Sequence, residues 1–466
     1  MKITVQNLGV IQHAELELGD LTLICGSNNT GKTYVTYAIF GFLTVWRNAL
    51  QINVSEEVVN QILNIGVANI SLLEYIAEHK SILTQASTAY SKDIFETFAA
   101  NQDRFKDTQF KIELDIDADS VDIEYSHQIG SADSELRFFS LTKNKGVFDV
   151  VVTLLTDKKD LRIPKEIIKR FIGDSIKSII FDKFLPRPFI ASAERTGVAI
   201  FHKELNFARN RLLSELHQVE KETDRIELLF KEGYNDYAIP IKENVEFVRT
   251  LASVFKRKSQ LSQENSDILD DFSGIIGGQY TVSKNDEIYY TPNCNKKLKL
   301  SMDESSSSVR SLLDIGFYLK HIAKKGDLLM IDEPELNLHP ENQRRLARLI
   351  AKLVNYGIKV FVTTHSDYIV KELNTLIMLN SDKPHIKEIT AQESYKSNEL
   401  LNPSKIRAYI AKEDLIKLNQ KSRRTRCRTL VTANIDPELG IEISSFDTEI
   451  DKMNRIQEAI VYGEEL

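Results

Sequence analysis

The octapeptide Gly26-Ser27-Asn28-Asn29-Thr30-Gly31-Lys32-Thr33 constrains this chain more than any other stretch. It follows the apolar run Leu21-Thr-Leu-Ile-Cys25 and precedes the helical stretch Tyr34 to Trp46, so it reads as a loop between a buried strand and a helix. Glycines let such a backbone wrap a phosphate, and the loop N–H groups and helix N-terminus supply positive potential. Lys32 would reach the β- and γ-phosphates, and the Thr33 hydroxyl would ligate Mg²⁺.

A second buried strand ends in acids. Leu328 to Ile331 is a continuous apolar run after a Lys-Lys-Gly turn, as expected in a parallel sheet, and Asp332 and Glu333 follow it. Open α/β sheets place their ligands at such carboxyl ends. Two charges at the end of a buried strand need a partner, and a metal ion with a phosphate would supply one. Asp332 then holds Mg²⁺ through water, and Glu333 orients the water that attacks a γ-phosphate. Taken alone, the same residues also read as two solvated acids. The apolar run Ile358 to Thr364 ends at His365, at the same sheet edge, which makes His365 a candidate γ-phosphate contact. Ser305 to Ser308 open a helix shortly before the acid strand. Ser306, Ser307 and their neighbours suit an anion, although a plain N-cap would need only one of them.

Composition narrows the class. The chain has 466 residues, 42% hydrophobic and 27% charged, with a net charge of −7, which describes an ordinary globular protein. That balance counts against coating DNA through bulk electrostatics. No apolar run reaches the length of a membrane span, and the N-terminus alternates like a strand rather than a signal peptide. Cys25, Cys294 and Cys427 are far apart with no CxxC pair, which fits a reducing, cytoplasmic setting.

The expected organisation is an α/β core interrupted twice. Residues 1–49 form the N-terminal part of the core, 50–184 an inserted α+β lobe, and 185–200 a core strand and loop. Residues 201–272 form a helical hairpin, 273–380 the C-terminal part of the core, and 381–466 an α+β segment closing it. In the hairpin, Leu212, Leu216, Val219, Thr223, Ile226 and Phe230 make a short coiled-coil-like seam. Pro240 separates it from a second helical stretch, Val245 to Phe255. Glu194 and Arg195 read either as a charged pair near a nucleotide or as an ordinary turn. The basic run Lys421 to Arg428 reads as a solvated face or as a site for an acidic partner.

These motifs, in this chain order, resemble the ABC-type ATPase head shared by RecF, SMC-like and OLD-family proteins. The resemblance covers residues 1–45 and 185–380. It implies ATP and Mg²⁺ as ligands, Gly26 to Thr33 as the Walker A loop and Leu328 to Glu333 as the Walker B strand. It further implies Glu335 to His339 as the D-loop, His365 as the switch histidine and Ser305 to Val309 as the signature. Two heads of that type sandwich two nucleotides, each signature serine touching the partner's γ-phosphate. The signature here is Ser-Ser-Ser-Ser-Val rather than Leu-Ser-Gly-Gly-Gln, and no glutamine holds a clear Q-loop position, for which Glu194-Arg195 is the substitute. Asp436 and Asp447 to Asp451 do not have the strand placement of a Toprim nuclease site. A single OLD-like head without a nuclease resembles the AriA-type ATPases of PARIS anti-phage systems. That likeness implies a slow, regulatory ATP hydrolase forming homo-oligomers. It would hold a separate AriB-like Toprim nuclease until a viral trigger protein, such as an acidic DNA mimic, is sensed. A RecF-like DNA-binding ATPase in repair is the alternative.

Overall fold

The computed structural model describes residues 1–130, 137–156, 164–201, 237–283, 287–416, 424–442 and 444–462. The seam Leu212 to Phe230 and Lys421 to Arg423 lie outside the described residues. The chain divides into two compact units.

The larger unit, Val5–Gly41, Ile94–Asp107 and Pro188–Leu466, is built on a six-stranded sheet. Its order is Thr425–Thr432, Ile406–Ile416, Leu21–Cys25, Lys359–Thr364, Leu328–Asp332, Pro188–Ala191. All neighbours are parallel except the outermost pair, Thr425–Thr432 on Ile406–Ile416. Every residue of Leu21–Cys25 and Leu328–Asp332 is buried, as both faces of a parallel sheet require. This is the α/β core expected from the motifs. Ile406–Ile416, which lies directly beside the loop strand, was not anticipated as a strand.

Helices cover the sheet. Pro340–Tyr356 shows how its sequence specifies it: His339 caps the first turn, Pro340 sits in it, and Gly357 ends the helix at φ 105°. Leu346, Leu349, Ile350 and Leu353 recur at helical spacing and are all buried, each contributing roughly 1.5–3 kcal/mol of apolar burial. The second stretch of the expected hairpin is the helix Ile239–Val254. Pro240 opens this helix rather than preceding it, because a first-turn proline loses no hydrogen bond.

The smaller unit, Met1–Thr4, Phe42–Asp93 and Thr108–Arg187, carries an antiparallel sheet in the order Val67–Ser71, Asp149–Leu154, Arg137–Lys143, Tyr125–Gly130. Two helices, Glu56–Ile65 and Leu72–Thr97, flank the strand Val67–Ser71. Gly66, at φ 92°, ends the first helix, and its N–H is donated to the Ile62 carbonyl. No helix among the described residues is long and apolar enough to cross a membrane.

Candidate nucleotide site

Parallel register brings the chemistry together. Cys25 pairs with Thr364 and Thr363 with Asp332, so three strands end level and deliver Gly26, His365 and Glu333 to one edge. The loop between Cys25 and the helix Lys32–Ala49 then turns through three positive φ values: Gly26 at 147°, Asn29 at 62° and Gly31 at 96°. Gly26 has to be glycine for a further reason. A Cβ there would lie 2.6 Å from the Ala411 carbonyl, on the neighbouring strand.

The Lys32 ammonium donates to the carbonyls of Gly26 and Ser27, each at 2.9 Å, which holds the loop closed on itself. Burial lowers its pKa, against the pull of the Glu333, Asp332 and Glu335 carboxylates. The Thr33 hydroxyl donates to Asp332 Oδ2 at 3.1 Å, and the Thr363 hydroxyl donates to Oδ1. Asp332 is fully buried, and burial pushes its carboxyl up while the Thr363 and Thr33 hydroxyls hold it down. A buried carboxylate touching a hydroxyl at the edge of a phosphate loop is a hard-oxygen donor pair of the kind Mg²⁺ uses together with water and phosphate oxygens. No cluster of three or more His, Cys, Asp or Glu that could hold a metal occurs among the described residues, and a two-ligand Mg²⁺ site does not require one.

Glu333 shares a cavity of about 550 Å³ with Val10, Asn28 to Tyr34 and Arg428. Its backbone is left-handed, φ 53°, and its carboxylate lies 3.7 Å from His365 Nδ1. Glu335 organises that corner. One of its oxygens accepts from the Thr364 hydroxyl at 2.9 Å; the other accepts from the His365 N–H at 2.7 Å and lies 3.1 Å from His365 Nδ1. This clamp was not foreseen, although the second carboxylate of Asp-Glu-Pro-Glu was its visible signal.

The remaining candidates separate from the cavity. Ser306 caps the helix Ser307–Ser311 and lies 2.9 Å from the Ser308 hydroxyl, while Ser305 donates to the Ser301 carbonyl. Ser306 and Ser307 are exposed, and neither lines the loop cavity. Glu194 accepts from the Tyr37 hydroxyl at 2.9 Å, whereas Arg195 turns inward and is 1% exposed. The basic run is partly absorbed: Arg426 pairs with Glu413 at 3.1 Å, and Arg428 donates to the Asn29 carbonyl at 3.4 Å on the loop itself.

A family model described as AAA_15, AAA ATPase domain, matches residues 1–370. The chain belongs to that AAA ATPase domain family. No curated protein matches it. Solved structures similar at low identity include three SMC head domains. An Smc head domain with an extended coiled coil, bound to the C-terminal domain of ScpA from Pyrococcus furiosus, is 11% identical at TM-score 0.31, over 98% of each chain. An SmcHead bound to the C-winged helix domain of ScpA is 11% identical at TM-score 0.29, over 80% of this chain and 92% of that one. The SMC head domain from Thermotoga maritima is 9% identical at TM-score 0.29, over 93% and 98%.

The larger unit also holds a buried acid with no hydrogen-bond partner, Asp314. Burial raises its carboxyl to about 7, against the Arg195 guanidinium, which lowers it. The unfolded carboxyl titrates near 4, so the fold holds this proton more tightly. The contribution to stability is full below about pH 4 and is lost as pH rises toward 7. Asp314→Asn removes this dependence. Its stability relative to wild type is expected to rise by roughly 2–3 kcal/mol between pH 5 and pH 8. Denaturant unfolding at both pH values measures it, and a pH-independent difference would show that Asp314 does not titrate in this range.

Proposed function

We propose that this AAA ATPase domain protein is an ABC-type ATPase that pairs with copies of itself around bound nucleotide and uses that assembly to regulate a separate nuclease. One observation carries the pairing: the phosphate loop and Glu333 share one cavity, with His365 beside that carboxylate, while the exposed Ser306 and Ser307 do not line it. Serines so placed are free to complete the γ-phosphate site of another copy. Within one chain, Gly26 to Thr33 bind the triphosphate and Thr33 with Asp332 would hold Mg²⁺, which neutralises charge on the β- and γ-phosphates. Glu333 takes the proton of the attacking water, and His365, held by Glu335, contacts the γ-phosphate.

The regulatory half of the proposal rests on the likeness to AriA-type subunits of PARIS anti-phage systems. It assigns an AriB-like Toprim nuclease as partner and a viral protein as trigger. A signalling ATPase needs a switch, so turnover is expected to be slow. The test measures ATPase rate and assembly mass of the purified chain with ATP and Mg²⁺, with and without the product of the neighbouring gene. Capture of a nuclease by a large nucleotide-dependent assembly supports the proposal. A nucleotide-driven dimer that binds duplex DNA at physiological salt and ignores that neighbour moves the assignment to a RecF-like repair ATPase.

A further inference from the structure

Arg195 is the most deeply buried cation of the larger unit among the described residues. It stands at the start of a helical segment just after the strand Pro188–Ala191, which pairs with Leu328–Asp332. Its planar guanidinium makes four hydrogen bonds, all to backbone carbonyls. Nε donates to Ser311 at 2.7 Å, and Nη1 donates to Ser192 at 2.8 Å and to Asp332 at 2.7 Å. Nη2 donates to Glu333 at 2.8 Å. Three segments therefore meet on one side chain: its own loop, the end of the acid strand, and the end of the serine-bearing helix Ser307–Ser311.

Burying a guanidinium is costly, and a neutral amide could satisfy one or two carbonyls. Spanning four needs the fixed fork of arginine. The carboxylates of Asp314, Asp332, Glu335 and Glu333 support its charge against burial. The acceptor that decides the role is Glu333. Its φ of 53° is a conformation that non-glycine residues seldom adopt, so something has to hold it. The Glu333 N–H is donated to the Thr363 carbonyl at 3.1 Å, and the Glu333 carbonyl is held by Arg195. The peptide is gripped from both sides.

We propose that Arg195 is a positioning residue for hydrolysis: it fixes the backbone of Glu333 and couples it to the Ser307–Ser311 helix, so the catalytic carboxylate and the serine-bearing segment move as one body. Through this coupling, engagement of the serines with another copy's nucleotide is transmitted to the carboxylate of the same chain. The proposal rests on Glu333 being the base and on pairing through the serines.

The test uses the full chain carrying Arg195→Lys or Arg195→Met, each alone and combined with Glu333→Gln. Lysine keeps the charge but cannot span the carbonyls. Both single variants are expected to bind a fluorescent ATP analogue within about threefold of wild type while kcat falls roughly 30- to 100-fold, with KM little changed. Combination with Glu333→Gln is expected to add no further loss, because both changes act on one step. A purely structural arginine would instead lower the unfolding midpoint and leave kcat per folded molecule intact, which overturns the proposal. Arg195→Lys turning over like wild type, while Glu333→Gln is inactive, overturns it alone. Wild type that binds ATP without hydrolysing it overturns this proposal and the assignment of Glu333 together. Should the variants not fold, hydrogen exchange on the unmutated chain decides. Nucleotide is expected to slow peptides 307–313 and 333–338 together, and protection confined to 333–338 overturns the coupling.

Discussion

Glu333→Gln should keep ATP bound and stop its turnover. The amide preserves the size of the side chain and the left-handed backbone set by Arg195 and Thr363, but it cannot take a proton from water. A positioned general base is worth about 10²–10⁴ in rate, so kcat should fall by at least ~100-fold while nucleotide affinity changes little. In a pairing ATPase the variant should also accumulate in its nucleotide-bound assembly, visible as a stable high-mass species with ATP. Single-turnover hydrolysis and mass measurement on the same sample check both halves. Normal hydrolysis by this variant would mean the base lies elsewhere.

Lys32→Ala acts earlier, on binding. The ammonium is buried within the loop and tied to the carbonyls of Gly26 and Ser27, so its removal subtracts a charge from the phosphate cradle and also frees those carbonyls. A hydrogen bond to a charged group is worth about 1.5–3 kcal/mol, which corresponds to a loss of affinity of roughly 10- to 100-fold. Calorimetric titration with ATP and Mg²⁺ measures it. Unchanged affinity would remove the octapeptide from the nucleotide site. Lys32→Ala should lose the assembly together with the nucleotide, whereas Glu333→Gln should keep both.

The parts of this site that were legible in the sequence are those whose chemistry is local. Gly26 to Thr33 announces itself because strand, glycines, lysine and helix are contiguous, and Leu328 to Glu333 because burial and charge change over one residue. Arg195 was legible only as a charged neighbour of Glu194. Its partners are the carbonyls of Ser311, Asp332 and Glu333, 116, 137 and 138 residues away, and a carbonyl acceptor leaves no mark on residue type. The strand Ile406–Ile416 was missed for a related reason. Only Ile406 and Ala408 to Ala411 within it are buried, and Lys412, Glu413 and Leu415 are exposed in its antiparallel edge pair. Arg428 read as surface charge until its strand was folded back against the loop at Asn29. In each case the missing information was a contact between distant segments.

The order of the central sheet has a consequence for how the molecule comes into being. Leu21, on the strand that carries the phosphate loop, pairs on one side with Val360 and on the other with Ile406. During synthesis the octapeptide is made well before either flanking strand, Lys359–Thr364 or Ile406–Ile416. At about 5–20 residues per second the loop strand waits roughly 20–80 seconds with both hydrogen-bonding edges and its apolar faces unmet. Nucleotide affinity is therefore a late acquisition in the life of each molecule, and a nascent chain halted short of residue 406 should neither retain ATP nor resist proteolysis at Leu21–Cys25.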